Sequence, residues 1–301
     1  MFLSSTYRVF TLLCAIAMSS VLFAEEALLV RSFPPEVESS KEPSLIYLWQ
    51  EKLDSPRPLV ASLARIDLLN PNYQCVVMME DDPDGNGPAE ASLAMPETHM
   101  KKFNAIVGIN ANAFGAVREE DKKKGYYLGM PVDIVGLAVS NGIVRSQSES
   151  KPNRTRGEAA FWQDDKLKPH LNIPASDATI HEGVGRFVST LLIDGEIARK
   201  KDKDLHPRTA IGLDASGRYL LLVVIDGRRK DYSEGVTLYE LAEFMQSHGC
   251  ANAINLDGGG SSIMMFHDEA DDELKAFNRP SGGKHRPIPV MLGVRAKTAL
   301  Q

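Results

Sequence analysis

Cysteine is scarce in this chain. Cys14, Cys75 and Cys250 are the three among 301 residues, too few for a small disulfide-stapled scaffold. Neither Cys75 nor Cys250 has a neighbouring His or Cys at metal-ligand spacing, so no zinc motif is present. The two are free to pair in an oxidising compartment or to remain separate thiols, and spacing alone leaves both readings open. Excess positive charge is also missing. Lys and Arg number 34 against 40 Asp and Glu, a net charge of −6, which argues against a nucleic-acid partner. A small phosphorylated ligand needs only a few local cations and is not excluded. No apolar run reaches the roughly 20 residues of a bilayer-spanning helix. There is no internal repeat and no low-complexity linker.

The first 24 residues differ from the rest. Arg8 is their only charge, residues 9–18 are mostly apolar, and Ser19, Ser20 and Ala24 precede Glu25 and Glu26. That order reads as a secretory signal peptide over 1–24, implying export to a periplasmic or extracellular space with no stable membrane span once the leader is removed. An uncleaved anchor is the alternative. Residues 25–57 carry Pro34, Pro35, Pro43 and Pro56 and read as an irregular N-terminal segment. Residues 58–301 then read as one domain.

Tyr219 to Ile225 is a continuous apolar run with β-branched residues and reads as a strand buried on both faces. A helix follows from Thr237, where Thr237 and Glu240 form a capping box and Val236 and Leu241 a hydrophobic staple. Gly249 stops it. Residues 253–256 read as a second strand. Strand, helix and strand over 219–257 predict a parallel β-α-β crossover in an α+β or mixed α/β domain, a twisted mixed sheet flanked by helices. On that reading Asp226 and Asp257 leave their strands at one edge of the sheet, where open sheets of this class bind ligands.

Asp257-Gly258-Gly259-Gly260-Ser261-Ser262 is the most specific local signal. Three glycines directly after a buried strand cost chain entropy and suit a sharp turn whose N–H groups form an anion-binding nest. A tight turn without a ligand is the plain alternative. The Asp82–Gly87 stretch imitates the start of a calcium loop, but Leu93 stands where a bidentate Glu is needed. A turn uses the same residues. No cofactor is implied, and a divalent metal has no clear ligand motif.

Taken together, these segments resemble the phosphodiester glycosidase family. Residues 108–114 are similar to its GINGGFF motif, 207–212 to its PRTA-x-G segment, 223–228 to its strand ending in DGR, and 256–262 to its LDGGGSS. Asn278, Pro280 and Arg286 match a late Asn-x-Pro…Arg segment, and the resemblance covers most of residues 60–296. It implies an enzyme that releases N-acetylglucosamine from a small-molecule or glycan phosphodiester by breaking the sugar–phosphate C–O bond. Such a reaction builds negative charge on phosphate and positive charge on the sugar ring, which arginine and ionised carboxylate stabilise. The expected catalytic residues are Asp257 and Asp226, with Asp226 as a structural strand-end cap the alternative. The expected substrate-binding residues are Asn110 for a sugar hydroxyl and Arg208, Thr209, Arg228, Gly258, Gly259, Ser261, Ser262 and Arg286 for the phosphate. The chain departs from the family at Ala111-Asn112-Ala113, where the motif has Gly-Gly-Phe, which leaves substrate choice open. The rival readings are a metal-dependent phosphoesterase cutting P–O, and a non-catalytic surface polysaccharide-binding or exopolysaccharide-related protein. The oligomeric state is not legible.

Overall fold

The computed structural model describes residues 31–33, 46–85, 87–147, 159–173, 179–185 and 189–297. The expected leader, 1–24, lies outside them. Among the described residues the chain forms four sheets, of eight, five, five and three strands. The eight-stranded sheet places Leu59–Asp67, Tyr219–Ile225, Arg208–Leu213 and Asn252–Asn255 side by side in that order. One five-stranded sheet carries Met264–Asp268, Ala105–Asn110, Val290–Ala296 and Tyr73–Met79. No helix among the described residues is long and apolar enough to cross a membrane.

Side chains on successive strand residues point to opposite faces, and here both faces find cover. Leu220, Leu222 and Val224 join the main core with Ile211, Ile46, Val107, Ile109, Val77 and Leu292. Leu221, Val223 and Ile225 face the other way and pack with Leu241, Ala242 and Met245 of the Leu238–Ser247 helix. The capping box holds: Glu240 N donates to Thr237 Oγ1 at 3.1 Å and Thr237 N to Glu240 Oε2 at 2.9 Å. Past the helix, Gly249 takes φ +82°, the left-handed conformation that ends it at low steric cost. The second helix, Pro96–Phe103, buries Met100 against Met78, Met265 and Met291 on the five-stranded sheet.

The expected α+β class is overturned. The protein is mostly β, with two α-helices among the described residues, and its strand pairings are antiparallel. The strands at 219–225 and 252–255 are not neighbours, because Arg208–Leu213 lies between them and is antiparallel to both. A long apolar run reports burial on two faces, a common property of parallel sheets. Here a helix outside and a second sheet inside give the same burial to an antiparallel strand. The segment expected to be irregular also contains an eight-residue strand, Ile46–Leu53, paired with Leu59–Asp67.

Cys75 and Cys250 are both buried and free. They sit in different apolar clusters, and burial pushes each thiol up to about 12. Glu182 is a buried carboxyl of a different kind. It accepts from Val77 N at 2.7 Å and Asn141 N at 3.1 Å, clipping the two five-stranded sheets together. Burial pushes it up to about 7. A carboxyl raised on folding binds its proton more tightly in the native state, so its contribution is full at pH 4 and lost as pH rises through 7. The loss amounts to roughly 3 kcal/mol. Urea unfolding at pH 5 and pH 8 is expected to show this fall in the parent chain and a smaller one in Glu182→Gln. Equal falls contradict the assignment.

Candidate active site

The rim of the site follows from strand direction. In the eight-stranded sheet Arg208 lies opposite Ile225 and Ala210 opposite Asn255. The two outer strands therefore run the same way on either side of Arg208–Leu213. Asp226 and Asp257 emerge at one edge, where Arg208 enters.

Asp257 begins the glycine-rich turn. Gly259 N donates to Pro207 O at 2.8 Å, and a Cβ on Gly258 would lie 2.7 Å from the same oxygen. Gly259 takes φ +63°, which glycine adopts at little cost. The Asp257 side chain remains 22% exposed, with its Oδ2 3.7 Å from Arg286 Nη2. Burial raises its carboxyl above the ordinary value, while Ser261, Arg286 and the Gly258 N–H pull it back. A carboxyl so perturbed at an open rim is a candidate for proton transfer or nucleophilic attack.

Asn110 comes from the five-stranded sheet and sits beneath this turn. Its amide donates to Asp257 O at 2.6 Å and its oxygen accepts from Thr209 Oγ1 at 2.8 Å and Ile263 N at 3.1 Å. Asn110 and Thr209 are buried. The expected contacts of Asn110 with a sugar hydroxyl and of Thr209 with phosphate are therefore replaced by a bond between them. Together they set the height of Asp257. Asn110→Ala would strand three buried polar groups, each costing about 1–3 kcal/mol. We expect an unfolding free energy lower by several kcal/mol in a denaturant titration; a loss under 1 kcal/mol contradicts this.

Two guanidinium groups flank the turn. Arg286 donates to Ser261 Oγ, and a Cβ on Gly260 would lie 3.1 Å from its Nη1. Its guanidinium stacks over the Tyr126 ring at 4.6 Å and near Phe114 at 5.6 Å. On the other side, the Arg228 guanidinium lies 3.1 Å from the position of a Gly259 Cβ and 3.4 Å from His206 Nδ1. Burial, and then the charges of Arg208 and Arg228, hold the His206 imidazole below its ordinary value, so it suits the role of acceptor. Glycine at 259 and 260 lets both forks approach the backbone.

The other expected residues are placed differently. Asp226 is 2% exposed. Its carboxylate accepts from Asn278 Nδ2 at 2.8 Å, Arg279 N at 3.0 Å and Tyr232 Oη at 3.2 Å. It organises the strand end and the 278–280 segment, and its carboxylate is not open to the rim. Arg208 donates to Val236 O at 3.2 Å and Asp204 O at 3.0 Å, holding loops behind Arg228. The Ser262 hydroxyl is buried and has no hydrogen-bond partner among the described residues. The structure thus gathers Asp257, Gly258, Gly259, Arg228 and Arg286 at the rim, buries Asp226, Thr209, Ser261 and Ser262, and engages Arg208 with loop carbonyls.

Sequence reasoning missed Phe114, Tyr126 and His206 as site residues. His206 precedes Pro207-Arg208 and Phe114 closes the Asn110 motif, so both carried a signal. Tyr126 carried none. The departing residues turn inward: Ala111 is buried in the core, and the Asn112 amide donates to Val135 O at 2.9 Å and Leu137 O at 3.0 Å. Among the described residues no group of three or more His, Cys, Asp or Glu side chains is placed to hold a metal ion.

A family model for phosphodiester glycosidases matches residues 103–295. Among curated relatives, the SPbeta prophage-derived uncharacterized protein YomE of Bacillus subtilis is 27% identical over 198 residues, 62% of this chain and 27% of that protein. The Bos taurus N-acetylglucosamine-1-phosphodiester alpha-N-acetylglucosaminidase is 43% identical over 60 residues, 20% of this chain and 11% of that protein. The chain thus spans well under half the length of the curated relatives it matches. In fold it is similar to the catalytic domain of the zebrafish enzyme of that name, auto-inhibited by its pro-peptide. The TM-score is 0.59 at 21% identity, over 86% of this chain and 85% of that one. A putative exported protein of Burkholderia pseudomallei gives 0.53 at 15% identity, over 79% and 74%. On the family match, which covers more than half of its residues, this chain belongs to the phosphodiester glycosidase family.

Proposed function

We propose that the chain hydrolyses glycosyl phosphodiesters, breaking the bond between the anomeric carbon and the phosphate oxygen, with Asp257 as the acting carboxylate. The observation that carries this reading is the partly exposed Asp257 carboxylate on a glycine turn flanked by two guanidinium groups. A phosphate over Gly259 and Gly260 meets Arg228 on one side and Arg286 on the other, where charge growing on the leaving group is stabilised. Phosphate is a weak base and departs without a strong proton donor. One carboxylate therefore suffices where alcohol-releasing glycosidases use two. Water supplies the oxygen that bonds the anomeric carbon and gives up a proton to Asp257, and the C–O electron pair leaves with phosphate. Asp257, ionised at the start of the step, faces the developing cation. The products are a free sugar and a phosphomonoester.

The names of the animal relatives support N-acetylglucosamine as the sugar. The leader-like order of residues 1–24 supports export. The test is a panel of glycosyl phosphodiesters that includes an N-acetylglucosamine α-1-phosphodiester. Equal release of sugar and phosphomonoester is expected, and no sugar from any member contradicts the reading. N-terminal sequencing of exported material is expected to start near residue 25; an intact Met1 retained in membranes contradicts export.

A further inference from the structure

Tyr126, Tyr127 and Leu128 are 48%, 38% and 65% exposed. Single exposed apolar residues are ordinary, but three in succession beside a reactive site mark a contact surface. The tip is held in place. Tyr127 Oη donates to the buried Asp121 Oδ1 at 2.9 Å, and Gly125 and Gly129 turn the chain on either side at φ +73° and +78°. The Tyr126 ring sits 4.8 Å from that of Phe114 and under the Arg286 guanidinium at 4.6 Å. Arg286 in turn lies 3.7 Å from the Asp257 carboxylate. Ring, guanidinium and carboxylate form one contiguous wall.

We propose that Tyr126 is the platform on which the substrate's sugar ring stacks. The phosphate then lies over Gly259 and Gly260 between the two guanidinium groups, and the sugar extends past Arg286 onto the exposed part of the Tyr126 ring. The proposal rests on the reading of Asp257 as the centre of a glycosyl-phosphodiester site and adds its direction. A pyranose has an apolar C–H face bordered by hydroxyls, and a half-exposed tyrosine offers an apolar face with a polar tip. The opposite flank carries Arg228 beside His206, with Arg208 and the carboxylates of Asp202 and Asp204 close by. That flank is built of charged groups, whereas this one offers the aromatic face that suits a sugar.

The experiment is calorimetric titration of the full chain with two probes that need no turnover, N-acetylglucosamine and methyl phosphate. Tyr126→Ala is expected to weaken sugar binding about tenfold, the scale of one lost aromatic contact, and to leave methyl phosphate unchanged. Tyr126→Phe keeps the ring and is expected to keep the sugar affinity. Arg228→Met is expected to do the reverse of Tyr126→Ala, weakening methyl phosphate alone. Sugar binding that survives Tyr126→Ala overturns the proposal, as does equal loss in Tyr126→Phe. So does an N-acetylglucosamine affinity undetectable in the parent chain. Tip-dependent binding to phosphatidylglycerol vesicles, with sugar affinity intact in Tyr126→Ala, assigns the tip to a lipid surface and overturns it too. A failure of hydrolysis would sink the proposed function while leaving these affinities to be read on their own.

Discussion

Asp257→Asn is expected to lower turnover of a glycosyl phosphodiester by roughly 1,000-fold or more, the scale of a lost general base or charge stabiliser. Asparagine matches aspartate in shape, and its amide oxygen still accepts from Ser261. What disappears is the negative charge that faces the sugar cation and the basicity that takes a proton from water. Binding through the arginines persists, so the loss falls on kcat with little change in KM. Thermal unfolding of the variant checks that the rim survives. Turnover within tenfold of the parent would remove Asp257 from the reaction.

Arg286→Met produces the second large effect, a loss of about 100- to 1,000-fold of the kind seen when one preorganised charge is deleted. It also has a signature that a lost phosphate contact alone lacks. Burial raises the Asp257 carboxyl and Arg286 is among the groups that pull it back. Asp257 acts when ionised, so activity falls as pH drops through its value. Removing the guanidinium raises that value further and moves the acid limb of kcat/KM to higher pH. Lysine is expected to restore part of the pH profile but little of the rate, since an ammonium lacks the planar fork that stacks on Tyr126 and reaches Ser261. An unmoved acid limb contradicts the coupling between Arg286 and Asp257.

The glycine turn was legible in the sequence because its signal is local. Three glycines after an apolar strand answer to backbone conformation and close approach, and the Pro207 carbonyl and the Arg228 and Arg286 forks are what approach. The common edge of Asp226 and Asp257 was legible for a weaker reason. It depends on the relative direction of two strands, and direction is kept although Arg208–Leu213 stands between them. Sheet class depends on that neighbour, so the expected parallel crossover failed while its consequence for the edge held. Asp226 shows the other limit. Its donors come from Tyr232, six residues on, and from the distant Asn278 and Arg279, and no spacing rule reveals that these groups close over one carboxylate. Likewise, Tyr126 meets Arg286 only because a three-stranded sheet brings Phe114–Ala116 and Pro131–Ile134 together near the rim. Ile46–Leu53 was hidden by prolines that lie outside it, and the strand is fixed by pairing with its neighbour.

The most direct test is hydrolysis of an N-acetylglucosamine phosphodiester in oxygen-18 water, with both products weighed by mass spectrometry before the hemiacetal exchanges. Attack at the anomeric carbon places the heavy oxygen in the sugar and leaves the phosphomonoester unlabelled. Label in the phosphomonoester would mean that the P–O bond breaks, and would contradict the roles given to Asp257, Arg228 and Arg286.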